Sequence, residues 1–541
     1  MRISFSSDPE TSLLQLSRHD HFTLRDAFNG VHIFGGIGSG KTSGSGKALA
    51  GAYLRAGMGG LVLCAKPEEV DLWQSYCKQH GREKSVIVFG ENHQFNFIDY
   101  ELARHGMKGI ANVIECLMRV LEAADDATGQ QGKSSDQFWT DAIRQILNYT
   151  VPIIYLAYGK VTISNIIDFV TTAPTRREQL NPETWTRTYS GKTMQLALDE
   201  PKVEVDADVR KSLSQYWGTQ YLAIPDKTRG NIIISLSTRL DRFKHGRMQR
   251  IFCDRTDIVP EMCFHGAVII MNMPTLTWNH DGIIGQQLFK FIWERAVESR
   301  NGLEQQHRER PVFLWADEAQ YFVNVKDESF LSTCRGSKAC VVFLTQSLPT
   351  YYSQLGKDRS DAGDGIVGKF NTQIFHQNGD FRTNEFASKL VGRGIQHRQT
   401  AGHSTGSTTS QGVTQGGSEG YSEGAGGGSN ESTNSSHQGM LPWENTTHGN
   451  SVGKNDQWNS NQNENTNWSV NRNTSTSNTE NHSATEHMDV RIEPNFFSEQ
   501  LKSGGACHNE EVTGLWFKVG GRFKSSLARA GNNVILATFK Q

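Results

Sequence analysis

The sequence predicts an α/β fold: a mainly parallel sheet, interrupted by an all-helical insertion and later by a disordered low-complexity segment. Three observations point there. From residue 30, short β-rich runs alternate with helical stretches, which is the pattern of βαβ units in a sheet covered on both faces. Between about residues 100 and 225 the strand signals thin out and helical stretches predominate. From about residue 400 to 487 the composition collapses into Ser, Asn, Gly, Thr and Gln. The expected organisation is core over 1–99, helical insertion over 100–225, core again over 226–400, disordered segment over 401–487, and strands returning to the core over 488–541.

The first elements are Val31-His32-Ile33-Phe34, a helix from Thr42, a strand over Gly60–Cys64, a helix near Val70–His80 and a strand over Ser85–Phe89. Helices over Gly109–Ala123 and Ser135–Tyr149 open the insertion. Strands return at Gly266–Ile270, Val312–Trp315, Ala339–Leu344 and Thr372–Phe375. The polar tract holds too few aliphatic residues to offset its ordering entropy by burial. Val512–Val519 and Asn533–Phe539 then read as strands that rejoin the core at an edge.

With 541 residues the chain has material for two to four structural units. Lys plus Arg number 55 against 57 Asp plus Glu, a net charge of −2, so any contact with DNA must be local. The eight cysteines show no C-x-x-C pair and no His at zinc spacing, which suits free thiols in a reducing cytosol. The start, Met1 to Asp8, lacks the apolar core of a signal peptide, and no apolar run approaches the ~18 to 20 residues of a membrane helix. The expected location is the cytoplasm, with docking at the inner membrane through a partner.

Gly35-Gly36-Ile37-Gly38-Ser39-Gly40-Lys41-Thr42 follows an apolar strand and opens a helix, the context that makes G-x-x-x-x-G-K-T a phosphate-binding loop for ATP and Mg²⁺. Glycines allow the tight turn, and backbone N–H groups with the helix N-terminus receive the phosphates. Lys41 is expected to neutralise the β and γ phosphates and Thr42 to place its hydroxyl on Mg²⁺. The nearby Gly44-Ser45-Gly46-Lys47 has Ala48 where Ser or Thr is needed, and reads as the continuing helix. A second motif, Pro311 to Gln320, is an apolar strand ending in Asp317-Glu318. Adjacent acids there suit hydrolysis, with Asp317 in the Mg²⁺ shell and Glu318 orienting or deprotonating water. The next strand ends in Thr345-Gln346-Ser347, which lets Gln346 sit beside the γ-phosphate.

These motifs, with Thr333 to Leu348 and Tyr352-Ser353-Gln354-Leu355-Gly356, resemble the conjugative coupling ATPases of type IV secretion, the TraG/TraD kind, within the wider FtsK/HerA superfamily of ring translocases. Thr228 to Leu236 and Ser388 to Gly392 add to the resemblance, which spans most of residues 20–400. It implies a RecA-like P-loop core, a homohexameric ring with ATP between subunits, DNA drawn through the channel, and a relaxase or secretion-channel components as partners. It also implies that Arg335, between the acidic strand and the glutamine strand, reaches a neighbour's nucleotide; a solvated helix-end charge is the alternative. Two departures stand out. Membrane-bound members carry a transmembrane region before the phosphate loop, whereas 34 residues precede it here. Many members have Asp-x-Lys-x-Glu after the second strand, and here Cys64-Ala65-Lys66-Pro67-Glu68 keeps the Lys and Glu but not the Asp.

Phe138-Trp139 reads as a core aromatic pair. Trp443, Trp458 and Trp468 in the polar tract are candidates for stacking on single-stranded bases, or for no role. Arg239, Arg242, Lys244, Arg247 and Arg250 form either a DNA-facing stretch or a solvated helix face. Three functions compete: a DNA-moving coupling ATPase, a HerA-like translocase working with a nuclease or effector in DNA processing or phage defence, and a nucleotide-binding recruitment scaffold.

Overall fold

A computed structural model describes the chain except residues 1–3, 129–134, 357–359, 417–420, 437–447, 460–466 and 528–531. It divides into two compact units, one of residues 1–391 and 493–541 and one of residues 392–492.

The larger unit opens with a hairpin that the sequence did not announce, β1 (Ser12–Gln15) and β2 (His21–Thr23). Its main sheet uses β3 (Val31–Phe34), β4 (Gly59–Leu63), β5 (Val86–Phe89), β6 (Val268–Met271), β7 (Val312–Ala316), β8 (Ala339–Thr345) and β9 (Thr372–Phe375). These seven run parallel in the order β9-β3-β8-β7-β4-β6-β5. Every residue of β3, β4, β6, β7, β8 and β9 is buried, because helices cover both faces, and this is why these strands read as unbroken apolar runs. Aromatic rings fill one face: Trp73 stacks 5.5 Å from Phe313 and meets Trp315 edge-on at 5.2 Å.

Among the described residues between β5 and β6 every regular element is helical, from Phe97 through His265. The helical region is therefore longer than 100–225: helices Asp226–Leu240 and Gly246–Phe252, assigned to the resumed core, belong to the same run. One helix spans Ser135–Tyr158, continuing through Pro152. Tyr149 stacks on Tyr216 at 3.9 Å, and Trp217 donates its indole N–H to the Tyr149 carbonyl at 3.1 Å. The fully buried Arg229 donates to the carbonyls of Tyr221, Ile224 and Thr175. The Thr228–Leu236 stretch thus does structural work in the packing of this region.

The chain ends as the sequence predicts. Strands β14 (Glu511–Lys518) and β15 (Val534–Lys540) return to the sheet, β14 pairing antiparallel with β9 (Leu515 opposite Phe375) and β15 forming the edge.

The smaller unit takes in the segment expected to be disordered, 401–487. Its described residues form β10 (Arg393–Gly416), β11 (Tyr421–Ser436), β12 (His448–Asn459) and β13 (Asn467–Val490), a four-stranded antiparallel sheet in the order β11-β10-β13-β12. The burial argument concerned side chains. A ladder of main-chain hydrogen bonds needs no apolar side chain, and the β10–β13 register runs unbroken from Arg393 opposite Val490 to Gly416 opposite Asn467. Trp458 and Trp468 lie on β12 and β13, and Trp443 lies outside the described residues.

Candidate functional site

The site forms at the carboxyl ends of the central strands, where open α/β sheets bind ligands. Because β8 lies between β3 and β7, Phe34 pairs with Thr345 and Ala316 with Phe343. The phosphate loop, Gln346 and the Asp317-Glu318 pair therefore emerge side by side.

The loop turns through Gly38 (φ 71°) and Gly40 (φ 81°), a region that L side chains rarely adopt. Gly35 donates its N–H to the Thr345 carbonyl at 3.2 Å and Gly36 donates to Gln377 at 2.9 Å, which ties the loop to β8 and to the end of β9. The chain then winds through a wide helical turn, Thr42–Gly46, before the helix Lys47–Arg55. The second Gly-Ser-Gly has a packing reason. A Cβ on Gly44 would stand 2.8 Å from the Val512 side chain, and one on Gly46 would stand 2.8 Å from the Lys41 carbonyl oxygen.

Thr42 Oγ1 donates to Asp317 Oδ2 at 2.7 Å, and Asp317 Oδ1 accepts the Glu318 N–H at 2.9 Å. Lys41 Nζ lies 3.4 Å from Glu318 Oε1 and 4.0 Å from Asp317. Glu318 adopts φ 51°, a left-handed conformation for a non-glycine residue, which turns its carboxylate in beside the loop. That carboxylate is 2 % exposed in its side chain and accepts from Lys66 Nζ (3.1 Å), Gln346 Nε2 (3.1 and 3.2 Å) and Gln320 Nε2 (3.0 Å). Burial alone would raise its pKa. Lys41, the Gln320 and Gln346 amides and Lys66 outweigh that and hold it down at about 2.

Behind the loop, the buried His376 joins three segments. Its Nδ1 faces the Thr513 carbonyl at 3.0 Å, which only accepts, so Nδ1 carries the proton and Nε2 accepts from the Ser45 hydroxyl at 2.6 Å. Burial, with Lys41 nearby, lowers its pKa to about 4 despite the Thr513 carbonyl. Gly40, Ile37 and Ser39 to Ser43 line a cavity of about 320 Å³ with Gly36, Gly38, Lys66, Leu72, Tyr76, Glu318 and Gln346.

The paired Thr42 hydroxyl and Asp317 carboxylate fit Mg²⁺, which takes one or two protein oxygens and completes its octahedron with water and phosphate oxygens. Lys41, Thr42, Asp317, Glu318 and Gln346 are thus brought together as the sequence predicts. Arg335 is not. It sits exposed in the turn before β8, at the opposite end of that strand from Gln346, roughly 23 Å away for seven residues of strand.

Sequence reasoning missed Gln320, whose side-chain oxygen also accepts from Thr345 Oγ1 at 2.9 Å, and His376. A lone His after a strand carries no signal for its role. One further expectation is corrected. Phe138 is 58 % exposed, so the Phe138-Trp139 pair is not a core pair; Trp139 is half-buried and meets it edge-on at 5.3 Å. Most of the basic stretch is neutralised within the chain: Arg239 pairs with Asp125 (2.6 Å), Arg242 with Asp281 (2.8 Å), Lys244 with Asp168 (3.8 Å) and Arg247 with Glu91 (3.8 Å). Among the described residues, no single helix is long and apolar enough to cross a membrane.

Residues 311–443 match the family model described as the TraM recognition site of TraD and TraG. The matched segment begins at the acidic strand and includes Asp317, Glu318, Arg335 and Gln346, so the TraG/TraD resemblance is borne out over this part of the chain. No curated protein matches the chain. Among solved structures, the unbound bacterial conjugative coupling protein TrwBdeltaN70 is similar at 11% identity, covering 95% of this chain and 85% of that one, with a TM-score of 0.49. TrwB with the ATP analogue ADPNP is similar at 15% identity, 67% and 75% coverage and a TM-score of 0.43. VirB4 of Thermoanaerobacter pseudethanolicus follows at 13% identity, 66% and 80% coverage and a TM-score of 0.39. The fold is read from the sheet order itself and does not rest on these likenesses.

Proposed function

We propose that this chain is a coupling ATPase for DNA transfer of the TraG/TraD kind, a motor that spends ATP hydrolysis on moving DNA toward a secretion channel. The observation that carries the reading is the convergence of Lys41, Thr42, Asp317, Glu318 and Gln346 at one end of the sheet, with the family match beginning at the acidic strand. A scaffold has no need of a buried carboxylate aimed at a phosphate loop.

In this reading the loop N–H groups and Lys41 bind the phosphates of ATP. Thr42 and Asp317 would hold Mg²⁺, which neutralises charge on the β and γ phosphates when bound. Glu318 orients the attacking water and takes up its proton, while Gln346, hydrogen-bonded to Glu318, stands where the γ-phosphate is gained and lost. The exposed Arg335, far from its own loop, serves the site of a neighbouring copy in a hexameric ring. DNA, a relaxase and secretion-channel components are the partners of this reading. It places the chain in the cytoplasm, held at the inner membrane through a partner. TrwB has been captured with ADPNP and with ADP and Mg²⁺; this chain is proposed to bind the same ligands.

The test is ATP turnover by the full chain with and without single- and double-stranded DNA. Hydrolysis that rises with DNA supports a motor; nucleotide binding without hydrolysis under any DNA condition moves the reading to the recruitment scaffold. Mixing Arg335→Ala with Glu318→Gln protein adds the ring: activity restored in the mixture, and absent from each alone, is the outcome for an arginine acting in trans. A nuclease that copurifies with the active motor would favour the HerA-like alternative.

A further inference from the structure

Lys66 shares the site without a role in the mechanism above. Its backbone is fixed from several sides. Glu69 accepts the N–H groups of Ala65 (2.7 Å) and Lys66 (3.3 Å), and Pro67 opens the following helix. Gln286 bonds both the N–H and the carbonyl of Cys64, at 2.8 and 2.9 Å. The Ala65 carbonyl accepts from the Thr275 hydroxyl and the Leu276 N–H, each at 3.2 Å. From this rigid base the Lys66 side chain reaches into the phosphate cavity with 44% of its surface exposed. Its ammonium rests on Glu318 Oε1, the same oxygen that faces Lys41.

Two ammonium groups on one carboxylate oxygen form an arrangement that a polyanion can take apart. The ammonium end of this pair is partly exposed, Gln320 and Gln346 stay on Glu318 when Lys66 leaves, and a phosphate oxygen offers Lys66 another charge-assisted contact, so the exchange costs Lys66 little. Lys41 belongs to the loop Gly35–Thr42 and Lys66 follows the end of β4, so the two approach the cavity from different walls. The group that lies between Lys41, Glu318 and Gln346 in the reading above is the terminal phosphate. ADP lacks it.

We propose that Lys66 is a γ-phosphate-sensing residue: it holds Glu318 when the site is empty or contains ADP, and moves to the terminal phosphate when ATP is bound, releasing Glu318 toward water. This rests on the nucleotide-site reading above. No bond is made or broken in the step; one charge-assisted contact is exchanged for another. It gives the motif Cys64-Ala65-Lys66 a function that does not need the acid other family members carry at position 64.

The test is equilibrium binding of a non-hydrolysable ATP analogue and of ADP, each with Mg²⁺, to the full wild-type chain and to Lys66→Met and Lys66→Arg. The expected result is a loss of about 10-fold or more for the analogue in Lys66→Met, as for one lost charge-assisted hydrogen bond, with ADP affinity changed less than about 2-fold and Lys66→Arg in between. Retained ADP binding also certifies the variant's fold. Equal losses for both nucleotides, or an unchanged affinity for the analogue, would overturn the role of Lys66 and leave the nucleotide site standing. If the wild type binds neither nucleotide, the site assignment falls and the role of Lys66 falls with it.

Discussion

Thr42 Oγ1 and Asp317 Oδ2 stand 2.7 Å apart, although 275 positions separate them along the chain. One ends the phosphate loop after β3, the other follows β7, and β8 between these strands sets the spacing. Replacing Asp317 by Asn keeps the shape and the hydrogen bond but removes the charge. The expected outcome is a nucleotide affinity that no longer responds to Mg²⁺, measured by titration with and without chelator.

Val512 closes over the phosphate loop from the returning strand β14. A Cβ on Gly40 or Gly44 would meet its side chain at 2.6 or 2.8 Å. Gly44→Ala should weaken nucleotide binding, and Val512→Ala in the same chain should restore most of it, because the second change opens the space. Gly40→Ala should not be rescued, since φ 81° is strained for any side chain. A binding titration on the four variants checks both.

Sequence and structure agree where the signal is local. The parallel strands are buried on both faces and read as apolar runs, and the loop and acidic motifs are fixed by spacing, so Lys41, Thr42, Asp317, Glu318 and Gln346 were all legible. What escaped depends on the third dimension. The contacts of Gln320 and Lys66 with Glu318 come from side-chain direction beyond the ends of β4 and β7, and His376 works by joining Ser45 to Thr513 across 468 positions of sequence (513 − 45). Helical periodicity did not show that Phe138 faces outward, and composition did not show the paired strands of 393–490.

Two buried neutral histidines make the larger unit acid-sensitive. Burial lowers His32, hydrogen-bonded to Tyr351 at 2.8 Å, to about 3, and lowers His376 to about 4. In the unfolded chain both protonate near 6.5, so the unfolded state binds more protons as pH falls below that value. Stability is therefore whole above pH 6.5 and declines as pH drops from 6.5 toward the folded values, by at most ~1.4 kcal/mol per pH unit for each group. Thermal unfolding of the wild type and His376→Gln between pH 7 and 5 should show the shallower slope in the variant.

Lys290 donates to Asp327 at 2.6 and 2.7 Å and to the Phe322 carbonyl at 2.8 Å, with its side chain fully buried. This pair anchors the segment that follows Asp317-Glu318. Lys290→Met leaves Asp327 buried without its cation and should destabilise the fold by about 3–5 kcal/mol, read from denaturant unfolding.

In the proposed function Glu318 serves hydrolysis and not nucleotide binding. ATP turnover and ATP affinity measured side by side on wild type and Glu318→Gln separate the two roles. Glu318→Gln should bind ATP at least as tightly as the wild type while turnover falls by about 100-fold or more, as for a lost general base. Turnover within a few fold of wild type in that variant would contradict it.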